Sequence, residues 1–219
     1  MKKTGSEETV ERMSSWQRVE HGLLMLWVLL LVATGLARHY NLAAPDGIIA
    51  THKLAAIGLI ATGLIHLAGI ILSKRHKEDF RGLAFHCSDC RCAWRGIANE
   101  ITGRGEPPAY GRFTPMQKLQ YWGIVAGCSL MAISGAVLWS GPNTLAFLPL
   151  WGRNLVLTIH SNQAQLIFVL LILWHLYDVH VAGGNFPMNP AWLTGKMKSS
   201  IYNTQHRGNG NDREEGKAV

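Results

Sequence analysis

The sequence predicts an all-α protein: an integral membrane four-helix transmembrane bundle. Three observations predict it. Hydrophobic residues make up 48% of the 219-residue chain and charged residues 16%, which is low in charge for a soluble protein. The charge sits in blocks between four apolar stretches. Each stretch is near the ~20 residues that cross a ~30 Å hydrocarbon core. One domain is the expectation at this length, and four such spans exclude a soluble enzyme.

In chain order, residues 1–15 form a polar segment with Lys2, Lys3 and Arg12. The first helix is expected at about 18–37, with the core GLLMLWVLLLVATGLA. It lacks an A-x-A cleavage site and carries Glu20 and His21 at its start, so it is expected to be a retained helix and not a signal peptide. The second helix is expected at 47–72, the third at 119–141 and the fourth at 155–181. Glycines inside them argue little against helix, since membrane helices tolerate them. Residues 73–118 are expected as a loop, and 16–196 as the transmembrane domain. The polar, Gly/Asn-rich stretch 197–219 is expected as a disordered tail, with His206 a surface histidine. Lys and Arg gather in the N-terminal segment, the 73–118 loop and the tail. The other two loops hold Arg38 and Arg153, with Lys53 just inside the second helix. The positive-inside rule therefore puts both termini and the middle loop in the cytoplasm. It also accounts for the net charge of +7 by anionic lipid, with no nucleic acid partner.

The fourth stretch carries His160, His175 and His180. Histidine is costly in a bilayer and rarely kept there without use. His52 and His66 lie 14 residues apart, so they return to within about 40° of one face at depths about 21 Å apart. His160 and His175 lie 15 apart, differing by roughly 60° and about 22 Å. His180 falls roughly 200° from His160, off that face. Two helices thus present two histidines each at two matched depths, with His21 near the inner level. That pattern fits two b-type haems stacked across a membrane. Each iron takes one imidazole from each of two helices and keeps no open position. Such an iron suits electron transfer. One intramembrane histidine is often a hydrogen-bonded core residue; four at two depths are hard to reach by accident. Spacing alone allows His66 as the inner partner of His175.

The run WQRVEHGLLMLWVLLLVATGL resembles the first helix of the cytochrome b subunits of respiratory formate dehydrogenases and nickel–iron hydrogenases, a cytochrome b561-like superfamily. FTPMQKLQYW, 113–122, resembles the start of their third helix. WHLYDVHVAGGNFPMNPAWLTG, 174–195, resembles a subgroup partnered with multihaem cytochromes c. The resemblance covers roughly residues 16–196. It implies that His52 and His160 hold an outer haem and that His21 and His175 hold an inner one, with His66 lining the inner haem or a quinone pocket. The pair on the fourth helix is 14 apart in the formate dehydrogenase type and 15 here.

A membrane electron path needs a donor and an acceptor, and the lipid-soluble candidate is a quinone, menaquinone or ubiquinone. The resemblance places the quinone site at Thr114, Gln117, Lys118 and Tyr121; Thr114 stands where the formate dehydrogenase type has Asn. Thr-Pro, Lys, Tyr and Trp also suit a helix start at the interface. Asp178 and His180 would relay protons or mark the helix end. Arg38, His39, Lys53 and Arg153 would pair with haem propionates or extend to the interface.

HCSDCRC, 86–92, contains Cys87, Cys90 and Cys92 beside His86. In a reducing compartment a structural disulfide is not expected. Three thiolates and an imidazole suit Zn²⁺, and free thiols in a loop are the plainer reading. The pattern is not C-x-x-C-H, so covalent haem attachment is not indicated. Cys128, inside the third helix, is expected as a small packing residue.

The function expected is electron transfer between an extracytoplasmic redox partner (a dehydrogenase, hydrogenase or multihaem cytochrome c) and the quinone pool of the bacterial cytoplasmic membrane. A stand-alone b-type quinone oxidoreductase of the cytochrome b561 kind and a haem-free membrane scaffold are the alternatives. No hydride-, phosphate- or flavin-binding pattern is present, so other substrate chemistry belongs to other subunits.

Overall fold

The computed structural model describes residues 8–42, 45–102, 110–141, 147–181 and 185–205. It divides into two units. One joins Val19–Ala68 and Trp122–Trp174; the other joins Met1–Arg18, Gly69–Tyr121 and His175–Val219. The first is called the membrane unit here and the second the polar unit.

In order, the elements are β1 (Thr9–Glu11), α1 (Ser15–His39), α2 (Pro45–Leu72), α3 (Lys74–Gly82), α4 (Cys87–Thr102), α5 (Pro115–Trp139) and α6 (Leu150–Thr158). A π-helical turn at Ile159–Gln163 leads into α7 (Ala164–His180), then α8 (Ala191–Thr194), β2 (Lys196–Lys198) and α9 (Ser199–Gln205). Among the described residues, four helices are long and apolar enough to span a membrane: α1, α2, α5 and the continuous Leu150–His180. The 25 residues of α1 and of α5 reach about 37 Å at 1.5 Å per residue, more than the hydrocarbon core. Leu54, Leu64 and Ile133 are 65%, 62% and 66% exposed, as side chains facing lipid are.

Both α1 and α5 begin on a reciprocal capping box. The Ser14 hydroxyl accepts from the Gln17 N–H and the Gln17 amide oxygen accepts from the Ser14 N–H, at 3.2 and 2.9 Å. Thr114 and Gln117 repeat the exchange at 3.3 and 3.2 Å, with Pro115 at the favoured first helical position. Within the membrane unit α1 packs on α2. Trp27 Nε1 donates to Thr62 Oγ1 at 3.1 Å, and a Cβ on Gly58 would lie 2.5 Å from the Trp27 ring, so the residue facing the indole must be glycine.

The 73–118 segment is the stretch expected as the loop between the second and third spans. It holds α3 and α4, because Trp94, Ile97 and Ile101 recur at helical spacing in a run too short to span a bilayer. The tail is also more ordered than expected. β2 pairs antiparallel with β1, Thr9 opposite Lys198 and Glu11 opposite Lys196, and α9 follows. Met197 is buried in the ribbon, and Tyr202 is buried with the Arg12 guanidinium over its ring at 5.2 Å. Those two anchors outweigh the polar composition. Residues 206–219, with His206, lie outside the described residues.

Gly195 closes α8 with φ +80, the left-handed conformation that glycine adopts freely. A Cβ there would also meet the Met13 carbonyl oxygen at 2.6 Å. Its own carbonyl accepts from the Arg12 and Met13 N–H groups at 2.8 and 3.1 Å. In the polar unit Asp79 is a buried hub. It accepts from Gln17 Nε2 at 2.7 Å and pairs with Arg112 Nε at 2.6 Å. Burial pulls the Arg12 guanidinium below its ordinary pKa, opposed by the attraction of Tyr202.

Candidate functional site

In the membrane unit the structure brings His52 of α2 and His160 of the π turn together. Their ring centroids are 6.2 Å apart and their planes cross at 81°. Each ring is held through Nδ1 by a hydroxyl on another helix. Thr34 Oγ1 of α1 lies 2.7 Å from His52 Nδ1, and Ser134 Oγ of α5 lies 2.9 Å from His160 Nδ1. Both hydroxyls already donate their proton to their own helix, Thr34 to the Leu30 carbonyl at 2.6 Å and Ser134 to the Leu130 carbonyl at 2.8 Å. A hydroxyl has one proton to give. With that proton on the carbonyl, each imidazole donates from Nδ1, and the Leu31 and Met131 carbonyls stand beside His52 and His160 as further backbone acceptors. That leaves the Nε2 lone pair of each ring for a metal.

The backbone makes room. A Cβ on Gly135, next to Ser134, would lie 2.9 Å from His160 Cε1, while one on Gly35, next to Thr34, would lie 3.8 Å from His52 Cε1. The π turn is IHSNQ. Ser161 Oγ donates back to the Leu157 carbonyl at 2.6 Å, the kind of contact that competes with the helical ladder. Turns of this type hold one extra residue and gather at functional sites.

A second pair lies in the same unit. His66 Nδ1 of α2 is 3.2 Å from Glu20 Oε2 of α1, and Glu20 is 4% exposed. His21 also lies on α1 in this unit, whereas His175 belongs to the polar unit. His180 Nδ1 is bound to the Pro187 carbonyl at 2.8 Å, and Asn185 donates to the Asp178 carbonyl at 2.8 Å. Among the polar residues at the far helix ends, Lys53 Nζ sits 5.0 Å over the Trp139 ring. Arg38 reaches Asn41, Arg153 reaches the Leu148 carbonyl and His39 stacks edge-on against Tyr40.

The residues at the start of α5 take structural positions. Thr114 and Gln117 form the capping box. Lys118 is buried; its ammonium donates to Asp89 Oδ2 at 2.9 Å and to the Ala84 carbonyl at 3.0 Å. Burial pushes the Asp89 carboxyl up, but the His86 N–H and the Lys118 ammonium outweigh that and hold it below the usual carboxylate range. Tyr121 follows one turn on. Cys87, Cys90, Cys92 and Cys128 are all thiols. Among the described residues no group of three or more His, Cys, Asp or Glu side chains gathers to hold a metal ion, so Cys87, Cys90 and Cys92 do not meet with His86. A haem iron needs only two imidazoles from the protein, so this finding leaves the His52–His160 pair intact.

The family described as prokaryotic cytochrome b561 matches residues 12–183. The chain belongs to that family. No curated protein matches it. As a member of the cytochrome b561 family it is a membrane b-type cytochrome of electron transfer, multi-pass in the bacterial inner membrane. The residues present fit the b-type haem that the family binds. An iron with an imidazole nitrogen about 2 Å away on each side, and rings whose nitrogens lie about 1.1 Å from their centroids, sets the centroids about 6 Å apart. The observed 6.2 Å meets that demand, and a proton on each Nδ1 would leave both Nε2 atoms to the iron.

The sequence reading missed Thr34 and Ser134. The signal was an internal repeat at an offset of 100 positions. RMSSWQR at 12–18 stands against RFTPMQK at 112–118, and Thr34-Gly35 against Ser134-Gly135.

Proposed function

We propose that this chain is a dihaem cytochrome b that carries electrons between an extracytoplasmic redox partner and the membrane quinone pool, with both termini in the cytoplasm. The observation that carries the proposal is the His52–His160 pair, with its 6.2 Å centroid separation and hydroxyl-held Nδ1 atoms. Bound haem supplies reversible one-electron chemistry with unchanged coordination. His52 and His160 would hold the outer haem, and His175 with His21 the inner one. The partner would be a dehydrogenase, a hydrogenase or a multihaem cytochrome c.

A second reading pairs His66 with His175. It is favoured by the Glu20–His66 contact, because a carboxylate on the other ring nitrogen is a common support for a metal-ligating histidine. On the first reading the same pair lines the inner haem.

A quinone takes up two electrons and two protons on becoming quinol. The proton donors must come from side chains near the inner level. We place that site at the start of α5, where Thr114, Gln117 and Lys118 frame the helix and Tyr121 offers a phenol.

The test is a reduced-minus-oxidised spectrum with a pyridine haemochrome count on the purified protein. Two b haems per chain are expected, and none would overturn the proposal. His21→Ala and His66→Ala then divide the two inner pairings, since the variant that loses one haem identifies the ligand. Quinol-driven reduction of the haems in vesicles tests the quinone link.

A further inference from the structure

We infer that Thr34 and Ser134 are positioning residues for the outer haem: their hydroxyls fix both axial imidazoles in the Nδ1–H tautomer and set the reduction potential of the iron between them. This rests on His52 and His160 being the outer ligand pair.

The first support is the match between the two sides. Each hydroxyl donates to the carbonyl four residues back, Leu30 or Leu130, and lies within 3.2 Å of the carbonyl three back, Leu31 or Met131. Each then has only lone pairs left for the imidazole, at 2.7 and 2.9 Å. With its own proton engaged, each hydroxyl accepts from the imidazole N–H, and the Leu31 and Met131 carbonyls beside His52 and His160 favour the same tautomer. Their neutrality matters too. A carboxylate in this place would draw the Nδ1 proton strongly, whereas a hydroxyl draws it modestly.

The second support is independent of those distances. Thr34 and Ser134 occupy one register in the internal repeat: each stands 20 positions beyond its capping residue, Ser14 or Thr114, and one before a glycine. Twenty residues of helix rise about 30 Å, one hydrocarbon thickness. Each hydroxyl thus stands the same number of residues along its helix from the capping residue. Each serves a histidine on the membrane helix that follows, His52 after α1 and His160 after α5. A chance contact would not recur at the same register with the same donor and acceptor roles.

The consequence for the iron is directional. An Nδ1–H that donates pushes electron density toward Nε2 and makes the imidazole a more basic ligand. A more basic axial ligand favours ferric over ferrous iron, so the two bonds lower the potential of the outer haem. Thr34→Val keeps the shape of the side chain and removes the acceptor; Ser134→Ala removes the other.

The experiment is potentiometry of the full-length protein, with haem counted in each variant, on Thr34→Val, Ser134→Ala, the double variant, Thr34→Ser and Ser134→Thr. The expected result is two haems per chain in the single variants. One midpoint potential moves upward, further in the double variant, and the second haem stays unmoved. Thr34→Ser and Ser134→Thr should keep the parent value. Unmoved midpoints in Thr34→Val and Ser134→Ala with two haems retained would overturn the inference. Should Thr34→Val lose a haem, Thr34→Ser decides: retention assigns the effect to the hydroxyl, and loss assigns it to packing and overturns the inference. His52→Ala and His160→Ala serve as controls. If they do not remove the same haem, the ligand assignment has failed, which is distinct from a failure of the hydroxyl role.

Discussion

The two units treat polar groups in opposite ways. In the membrane unit the polar contacts among helices are made largely by neutral groups: Thr34 with His52, Ser134 with His160, Trp27 with Thr62. In the polar unit they are charged: Arg112 with Asp79, Lys118 with Asp89, Arg75 with Glu11. Unpaired charge is expensive in hydrocarbon and cheap near water. Glu20, buried against His66, and Lys53, over the Trp139 ring, depart from that pattern in the membrane unit, and an ionisable residue held inside a membrane points to use. The contrast teaches a division of labour: the neutral contacts aim ligands, and the charged ones fasten the segments that precede α1 and α5.

The largest expected effect comes from removing a ligand. His52→Ala or His160→Ala should take away one whole haem and leave the other, read as a halved pyridine haemochrome count. Asp79→Ala comes next. It removes the carboxylate that Gln17 and Arg112 share, while Arg112 keeps its bond to the Arg12 carbonyl, and should cost about 3 kcal/mol of stability for two charge-assisted hydrogen bonds, read as a lower melting temperature, with two haems still bound below the melt. Loss of a haem in Asp79→Ala would break the division of labour.

Lys118→Met is smaller, about 2 kcal/mol, since it removes a hydrogen bond to a charged acceptor. It carries a pH signature. The Asp89 carboxyl is held below its ordinary pKa, so its stabilising contribution is present above the unfolded value near ~3.9 and fades as pH falls through the lower folded value. Melting temperature should be insensitive to Asp89 from pH 7 to 5 and fall at more acid pH. Asp89→Asn should lose that part of the acid limb; an unchanged limb would remove Asp89 from the account.

The four spans were legible because length and apolarity are properties of the sequence itself. Their ends were less so. The third helix starts at Pro115 and not at 119, because Lys118 lies inside a helix only if something pairs with it, and Asp89 is 29 positions away. The π turn lies in an unbroken helical run and leaves no compositional mark. The pairing of His52 with His160 was within reach, since depth follows from residue count. Their hydroxyl partners were not, because counting histidines says nothing about which neutral residue stands behind each ring. Comparing RMSSWQR with RFTPMQK would have exposed Thr34 and Ser134 together. Polarity misjudged 197–205, where two buried side chains decide the outcome.

The smallest predicted effect is the most exacting for the neutral site. Gly35 and Gly135 are equivalent in the repeat yet not in space. A methyl on Gly35 meets His52 Cε1 at 3.8 Å, ordinary contact, while one on Gly135 meets His160 Cε1 at 2.9 Å. His160 can yield only by turning its ring away from Ser134 or off its rotamer, a strain of about 1 kcal/mol. If the ring is fixed by iron on one side and Ser134 on the other, that strain falls on haem affinity, roughly fivefold. Gly135→Ala should therefore lose haem faster than the parent to an excess of a haem-scavenging protein, and Gly35→Ala should not. Equal behaviour of the two variants would mean that His160 is free to move. The hydroxyl-held geometry would then not be the geometry that binds the haem.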